Sequence, residues 1–147
     1  MTRGYFGIGI YDPKTGANIG SLMRSAYAFG ADFTFTVKGE KGLFRHPTNT
    51  VRSERHLPHY EYNDLEHFMA LMPVEKTLVG IDANEGVPLT TFAHPERAIY
   101  LLGREDGGLP PELVPDVRVN IPTRYCLNVA AAGAIILYDR TTKRRTP

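Results

Sequence analysis

Strand-like and helix-like segments alternate along most of this chain of 147 residues. Residues 5–11 are rich in isoleucine and aromatic residues, which predicts a first strand. In residues 17–29 apolar residues recur every three or four positions and Gly30 follows them, which predicts a helix with a C-terminal glycine. Further strands are predicted at residues 32–37, 60–62, 77–82, 98–102 and 117–121, and further helices at residues 64–71 and 126–139. The alternation predicts an α/β fold with a mainly parallel sheet.

The length and the composition limit the classes of protein that remain. A chain of 147 residues matches one domain in size, so we expect residues 1–147 to form a single domain. No run of 18 apolar residues occurs, so no membrane partner is expected. The first residues lack the features of a secretory signal, and Cys126, the single cysteine, cannot form an internal disulfide. A cytoplasmic location is therefore expected.

Positive charge is concentrated in two places, although the formal net charge is only +1. A long loop is predicted over residues 38–59, and it contains three arginines, Arg45, Arg52 and Arg55. The end of the last predicted helix is followed by four basic residues, Arg140, Lys143, Arg144 and Arg145. Either cluster can neutralise the phosphates of a nucleic acid, and either can equally be structural, as a solvated loop or as cations at a helix C-terminus. The sequence leaves both interpretations open.

Three short strings lie at predicted strand ends or helix starts. The first begins at Asn18 and runs to Arg24 in the first predicted helix. The second, residues 102–109, follows a buried strand and contains glycines that allow a tight loop. The third, residues 121–128, again covers a strand end, a loop and a helix start. Taken singly, each has an ordinary explanation as a helix-start amide, a strand-ending turn or a helix cap.

Taken in order, the three strings resemble the motifs of the SpoU or TrmH-type RNA ribose methyltransferases of the SPOUT superfamily. Those motifs read approximately N-x-x-x-x-x-R, L-G-x-E-x-x-G-L and I-P-x-x-x-x-S-L-N-V. The matching residues here are Asn18, Arg24, Gly103, Glu105, Gly108, Leu109, Ile121, Pro122, Leu127, Asn128 and Val129. One position departs from the pattern, because Cys126 stands where the family has serine. A thiol is larger than a hydroxyl and forms weaker hydrogen bonds.

The resemblance implies a fold, a cofactor and an assembly. The fold would be an open parallel α/β sheet whose C-terminal region forms a trefoil knot. S-adenosylmethionine would bind in a bent form among the three knot loops, held largely by main-chain groups. The residues expected to hold it are Ile81, Gly103, Ile121, Cys126 and Leu127. The resemblance also implies a homodimer formed through the first and last helices.

The expected reaction is methyl transfer to a ribose 2′-hydroxyl of RNA. The family assigns Arg24 the activation of that hydroxyl, but a guanidinium with a pKa above about 12 is a poor base at neutral pH. We therefore expect Arg24 to pair with an RNA phosphate and to stabilise developing negative charge on oxygen. Glu105 is expected to orient Arg24, while Asn18 and Asn128 fix the loops or the nucleotide. These four residues are the predicted catalytic set.

The substrate and one rival function stay open. We expect tRNA rather than rRNA, because the first strand begins near Tyr5, as in the minimal tRNA-modifying relatives. The rival is a SPOUT-like RNA-binding module in which Cys126 has replaced the serine and catalysis is lost. A metal site is not expected, because His56 and His59 have no cysteine companions and a proline lies between them.

Overall fold

The computed structural model describes residues 4–39, 57–104 and 107–145 of the chain. Within these ranges the strands are β1 (Tyr5–Tyr11), β2 (Phe33–Val37), β3 (His59–Tyr62), β4 (Thr77–Ile81), β5 (Val87–Pro88), β6 (Arg97–Leu102) and β7 (Val117–Asn120). The helices are α1 (Gly16–Ala28), α2 (Leu65–Leu71), α3 (Val129–Arg145) and a short 3-10 helix, Leu89–Thr91. None of the helices in the described ranges is long and apolar enough to cross a membrane.

The described strands form one sheet in the order β3-β2-β1-β6-β4-β7-β5, and every neighbouring pair is parallel. The predicted open parallel α/β fold is therefore confirmed. Strands β6, β4 and β7 are adjacent and parallel, so their carboxyl ends lie side by side. The trefoil knot stays a prediction.

The sheet is covered on both faces, which explains why residues 98–102 of β6 are continuously apolar. Tyr100 belongs to the core between the sheet and helices α1 and α3, together with Ile8 and Leu22. Its neighbours in the strand, Ile99 and Leu101, belong to the core on the other face. Successive side chains of a strand point to opposite faces, so a strand buried on both sides has no polar positions.

Helix α3 runs from Val129 to Arg145 rather than over residues 126–139 as predicted, and the starts of α3 and α2 each have a local reason. Helix α3 begins at Val129 rather than at Cys126, because the Asn128 side chain accepts a hydrogen bond from the Ala131 N–H at 3.1 Å, as an N-cap does. The α2 N-cap is Asp64, whose side chain accepts from the His67 N–H at 2.7 Å. Strand β5 was not predicted, because two exposed residues, one of them proline, carry no periodic signal.

Three residues of the basic cluster at the end of α3, namely Arg140, Lys143 and Arg144, have structural roles. Arg140 is 4% exposed, and its guanidinium donates to the Pro95 and Glu96 carbonyls and to the Tyr100 hydroxyl. Lys143 and Arg144 also donate to main-chain carbonyls of the segment before β6: Leu89 and Phe92 accept from Lys143, and His94 accepts from Arg144. The phosphate-binding interpretation of this cluster is therefore wrong for Arg140, and the cluster anchors α3.

A buried histidine completes this anchor. Nε2 of His94 lies 2.7 Å from the Asp139 carboxylate, and Nδ1 lies 2.7 Å from the Tyr100 hydroxyl. Because a carboxylate only accepts, Nε2 carries the proton and Nδ1 accepts from Tyr100. Burial lowers the pKa of His94, an effect that Asp139 opposes and the nearby cations Arg140 and Lys143 reinforce. His94 is therefore held neutral.

Candidate functional site

A cavity of about 650 Å³ lies over the carboxyl ends of β4, β6 and β7. Parallel sheets bind ligands at this edge, and the volume is in the usual range for small-molecule sites. The five residues predicted to hold the cofactor all line it, namely Ile81, Gly103, Ile121, Cys126 and Leu127. The structure thus brings together residues from three separate parts of the sequence in one cavity.

Asp82 shapes the wall that follows β4. Its Oδ1 accepts the N–H groups of Asn84 at 2.9 Å and Glu85 at 3.2 Å, and its Oδ2 accepts from Arg118 of β7 at 3.0 Å. Burial alone would raise the pKa of Asp82, but the two N–H groups and the Arg118 guanidinium outweigh it, and the pKa is lowered. Asp82 is therefore a charged carboxylate already occupied in building the loop.

A glycine loop shapes the wall that follows β6. The Arg104 N–H donates to the Gly108 carbonyl at 3.1 Å, and the Gly108 N–H donates to the Arg104 carbonyl at 3.0 Å. Gly108 has a φ of +65°, which favours glycine. A Cβ on Gly103 would lie 2.6 Å from the Leu109 nitrogen. The loop needs glycine at both 103 and 108 to fold this tightly.

The wall after β7 and the start of α3 is apolar inside and polar at its rim. Ile121, Leu127 and Val129 line the cavity, together with Leu102 from β6 and Ala132 from α3. The free thiol of Cys126 is exposed here. A flat aromatic ring would find apolar contacts in the cavity and main-chain polar groups at the strand ends, so the site suits a nucleoside.

Two of the predicted catalytic residues meet beside the cavity. Nδ2 of Asn128 donates to Oδ1 of Asn18 at 2.9 Å, which joins the start of α1 to the start of α3. Asn18 is only 8% exposed, so this bond satisfies a buried amide. Arg24 lies on α1 with an exposed side chain and is not one of the cavity-lining residues. The other predicted site residues lie outside the described residues: Glu105, Arg45, Arg52 and Arg55.

Sequence reasoning missed one charged pair at the cavity. Nη1 of Arg104 lies 2.9 Å from Oδ2 of Asp12, which directly follows β1. Asp12 reads in the sequence as a turn residue, and Arg104 occupies a variable position of the glycine motif. Only the neighbouring positions of β1 and β6 in the sheet bring the two together. Among the described residues, no group of three or more His, Cys, Asp or Glu side chains could hold a metal ion.

The fold and the cavity define the class of this protein, an α/β domain with a cavity of ligand size at the carboxyl edge of a parallel sheet. Comparison with known families makes the assignment specific. The SpoU rRNA Methylase family model matches residues 6–138, and the chain belongs to that family.

Individual relatives agree with the family assignment. A tRNA (guanosine(18)-2′-O)-methyltransferase, TARBP1 of Mus musculus, is 29% identical over 141 residues, and the match covers 86% of this chain and 9% of the relative's length. The SpoU methyltransferase AviRb of Streptomyces viridochromogenes, in complex with AdoMet, is 25% identical, with a TM-score of 0.83 over 99% of this chain and 60% of its own. A structure concerned with 2-OH methylation of C/U34 on tRNA has a TM-score of 0.84 at 20% identity, over 98% of this chain and 99% of its own, and shares the fold.

Proposed function

We propose that this chain transfers a methyl group from S-adenosylmethionine to a ribose 2′-hydroxyl of RNA. The observation that carries the proposal is the cavity that Ile81, Gly103, Ile121, Cys126 and Leu127 line in a member of the SpoU family. AviRb, which is similar along nearly the whole chain, binds AdoMet. The residues present fit this cofactor, because an apolar interior suits adenine and the strand ends offer main-chain groups for hydrogen bonding.

When bound, S-adenosylmethionine supplies a methyl group that its sulfonium already activates. The protein therefore needs to align and polarise the ribose hydroxyl rather than to supply a covalent intermediate. We assign Arg24 to this task, because its exposed guanidinium is accessible to RNA and can pair with a phosphate. Glu105 is proposed to orient Arg24. The Asn18–Asn128 bond holds the starts of α1 and α3 together, so the two amides are proposed to position Arg24 through α1.

We favour tRNA over rRNA as the substrate. The named tRNA methyltransferase TARBP1 supports this choice, although this chain spans only 9% of that protein's length. Arg45, Arg52 and Arg55 are proposed as phosphate contacts. Mass-spectrometric mapping of nucleosides in tRNA and rRNA, from cells with and without the gene, tests the choice. Loss of one ribose methylation in tRNA is expected, and a loss confined to rRNA would contradict it.

We also propose a homodimer through α1 and α3. These two helices pack against each other, and Tyr27 of α1 and Ile135 and Tyr138 of α3 are exposed, Tyr27 to 50% and Tyr138 to 62%. Such a face is apolar enough to bury against a second copy. In light scattering, Tyr138→Glu is expected to reduce the dimer, whereas Val74→Glu, which changes an exposed residue outside both helices, is not. A monomeric wild type would contradict the proposal.

We place the protein in the cytoplasm, which cell fractionation tests.

Calorimetry with S-adenosylmethionine separates the proposed enzyme from an inactive RNA-binding module. The enzyme is expected to bind the cofactor and to transfer a radiolabelled methyl group to RNA. Cys126→Ser restores the family residue at the cavity and serves as the matched control for the cysteine. If neither wild type nor Cys126→Ser binds the cofactor, the proposed function is wrong. If only Cys126→Ser transfers the methyl group, the natural chain is the binding module.

A further inference from the structure

We infer that Asp12 and Arg104 are positioning residues, whose ion pair holds the glycine loop after β6 in the conformation that binds the cofactor. The inference rests on the proposed function, since it concerns the affinity of the same cavity. Arg104 lines that cavity, and its main chain forms both hydrogen bonds that close the loop onto Gly108. The pair therefore attaches the loop to β1, a strand that contributes no lining residue to the cavity.

The backbone conformation of Asp12 sets the direction in which its carboxylate points. Asp12 has a φ of +48° and is the one non-glycine residue with a positive φ in the described part of the chain. Its N–H donates to the Val37 carbonyl at 2.7 Å, which fixes this conformation between β1 and β2. A residue in the left-handed region persists where its surroundings over-determine it, and such residues are found at functional sites. Aspartate is one of the few residues that tolerates this region.

The chain leaving β2 also packs against this carboxylate. A Cβ on Gly39 would overlap the side chain of Asp12, so only glycine leaves room for it. The ends of β2, β1 and β6, three neighbouring strands, thus meet at one carboxylate. Because Val37 and Gly39 both constrain Asp12, its carboxylate has little freedom to move away from Arg104.

The pair is shielded enough for its loss to matter. The side chains of Arg104 and Asp12 are 20% and 13% exposed, so solvent screens their attraction only in part. Changing either residue removes the same attraction, so changing both removes nothing further. The two residues should therefore act as a unit in cofactor binding, and their substitutions should not be additive.

A double-mutant cycle on the affinity for S-adenosylmethionine tests this inference. Asp12→Asn keeps a residue that tolerates positive φ, and Arg104→Gln keeps a polar side chain. Each single variant is expected to raise the dissociation constant about fivefold to tenfold, and the double variant no further. Because the pair acts on the loop and not on the reacting atoms, kcat at saturating cofactor should stay within about twofold of wild type. Arg104→Lys, which keeps the charge, should recover most of the affinity.

The control is an ion pair at the other end of β6, the strand that precedes the glycine loop. Glu75→Gln removes the partner of Arg97, the first residue of β6, and should leave cofactor affinity unchanged. Thermal unfolding without cofactor should place Asp12→Asn and Glu75→Gln within a few degrees of each other. Additive effects of the two single variants, or unchanged affinity in both, would overturn the inference. A wild type that binds no cofactor would instead overturn the proposed function, and this inference with it.

Discussion

Gly103→Ala is expected to damage the cofactor cavity while leaving most of the fold intact. The added Cβ would lie 2.6 Å from the Leu109 nitrogen and closer still to the Gly108 carbonyl carbon. Both obstacles are main-chain atoms, so no side chain can rotate away to make room. The loop must open, and the two hydrogen bonds between Arg104 and Gly108 must lengthen or break.

The expected loss of cofactor affinity follows from the two hydrogen bonds that Gly103→Ala would lengthen or break. Each main-chain hydrogen bond contributes about 0.5–1.5 kcal/mol net, so losing both costs about 1–3 kcal/mol. If this cost falls on the binding-competent conformation of the loop, the dissociation constant for S-adenosylmethionine rises about fivefold to 150-fold. Calorimetric titration of the cofactor measures this directly.

Gly107→Ala is the matched control in the same loop. A Cβ on Gly107 would lie 3.5 Å from Cδ of Arg104, an ordinary contact, and Gly107 has no positive φ. This variant should bind the cofactor within about twofold of wild type. The reasoning is refuted if Gly103→Ala binds as tightly as wild type, or if Gly107→Ala is equally damaging.

Three further predictions concern Arg24 as the proposed catalytic residue, the helix junction and pH. Arg24→Ala should lower single-turnover methyl transfer about 100-fold or more with cofactor affinity unchanged, because Arg24 lies outside the cavity; a normal rate would remove it from the mechanism. Asn128→Ala removes the α3 cap and leaves Asn18 without its Asn128 donor, so urea unfolding should show a loss of about 1–3 kcal/mol, and no loss would contradict the role of the junction. Because the pKa of His94 is lowered by folding, the unfolded chain binds more protons below about pH 6.5, and the free energy of unfolding should fall as the pH drops through that range. His94→Gln should flatten this dependence in urea titrations between about pH 5 and 7, and an unchanged slope would contradict the assignment.

The sequence was most informative where local pattern and burial coincide. The apolar run of β6 predicted a strand covered on both faces, and its end located Gly103 at the cavity. The cavity residues were predicted from the family resemblance, and they converge because parallel strands carry their loops to one edge. Cys126 was assigned to the right place but to the wrong element, since only the side-chain cap at Asn128 shows where α3 begins.

Contacts between distant segments were not predictable from the sequence. A run of cations at a helix end reads alike whether it faces solvent or donates to carbonyls, and Arg140 reaches the Tyr100 hydroxyl 40 positions away. The ion pair between Asp12 and Arg104 likewise depends on β1 and β6 being neighbours, which neither residue type indicates. The packing of α3 against the sheet decides the first contact, and the strand order decides the second.

The position of the transferred methyl group tests the central claim most directly. RNA methylated by the purified protein with radiolabelled S-adenosylmethionine can be hydrolysed in alkali, which cleaves the chain only beside a free 2′-hydroxyl. The proposed activity predicts label in alkali-resistant dinucleotides, and its loss in Arg24→Ala. Label recovered in mononucleotides would show base methylation and would contradict the account.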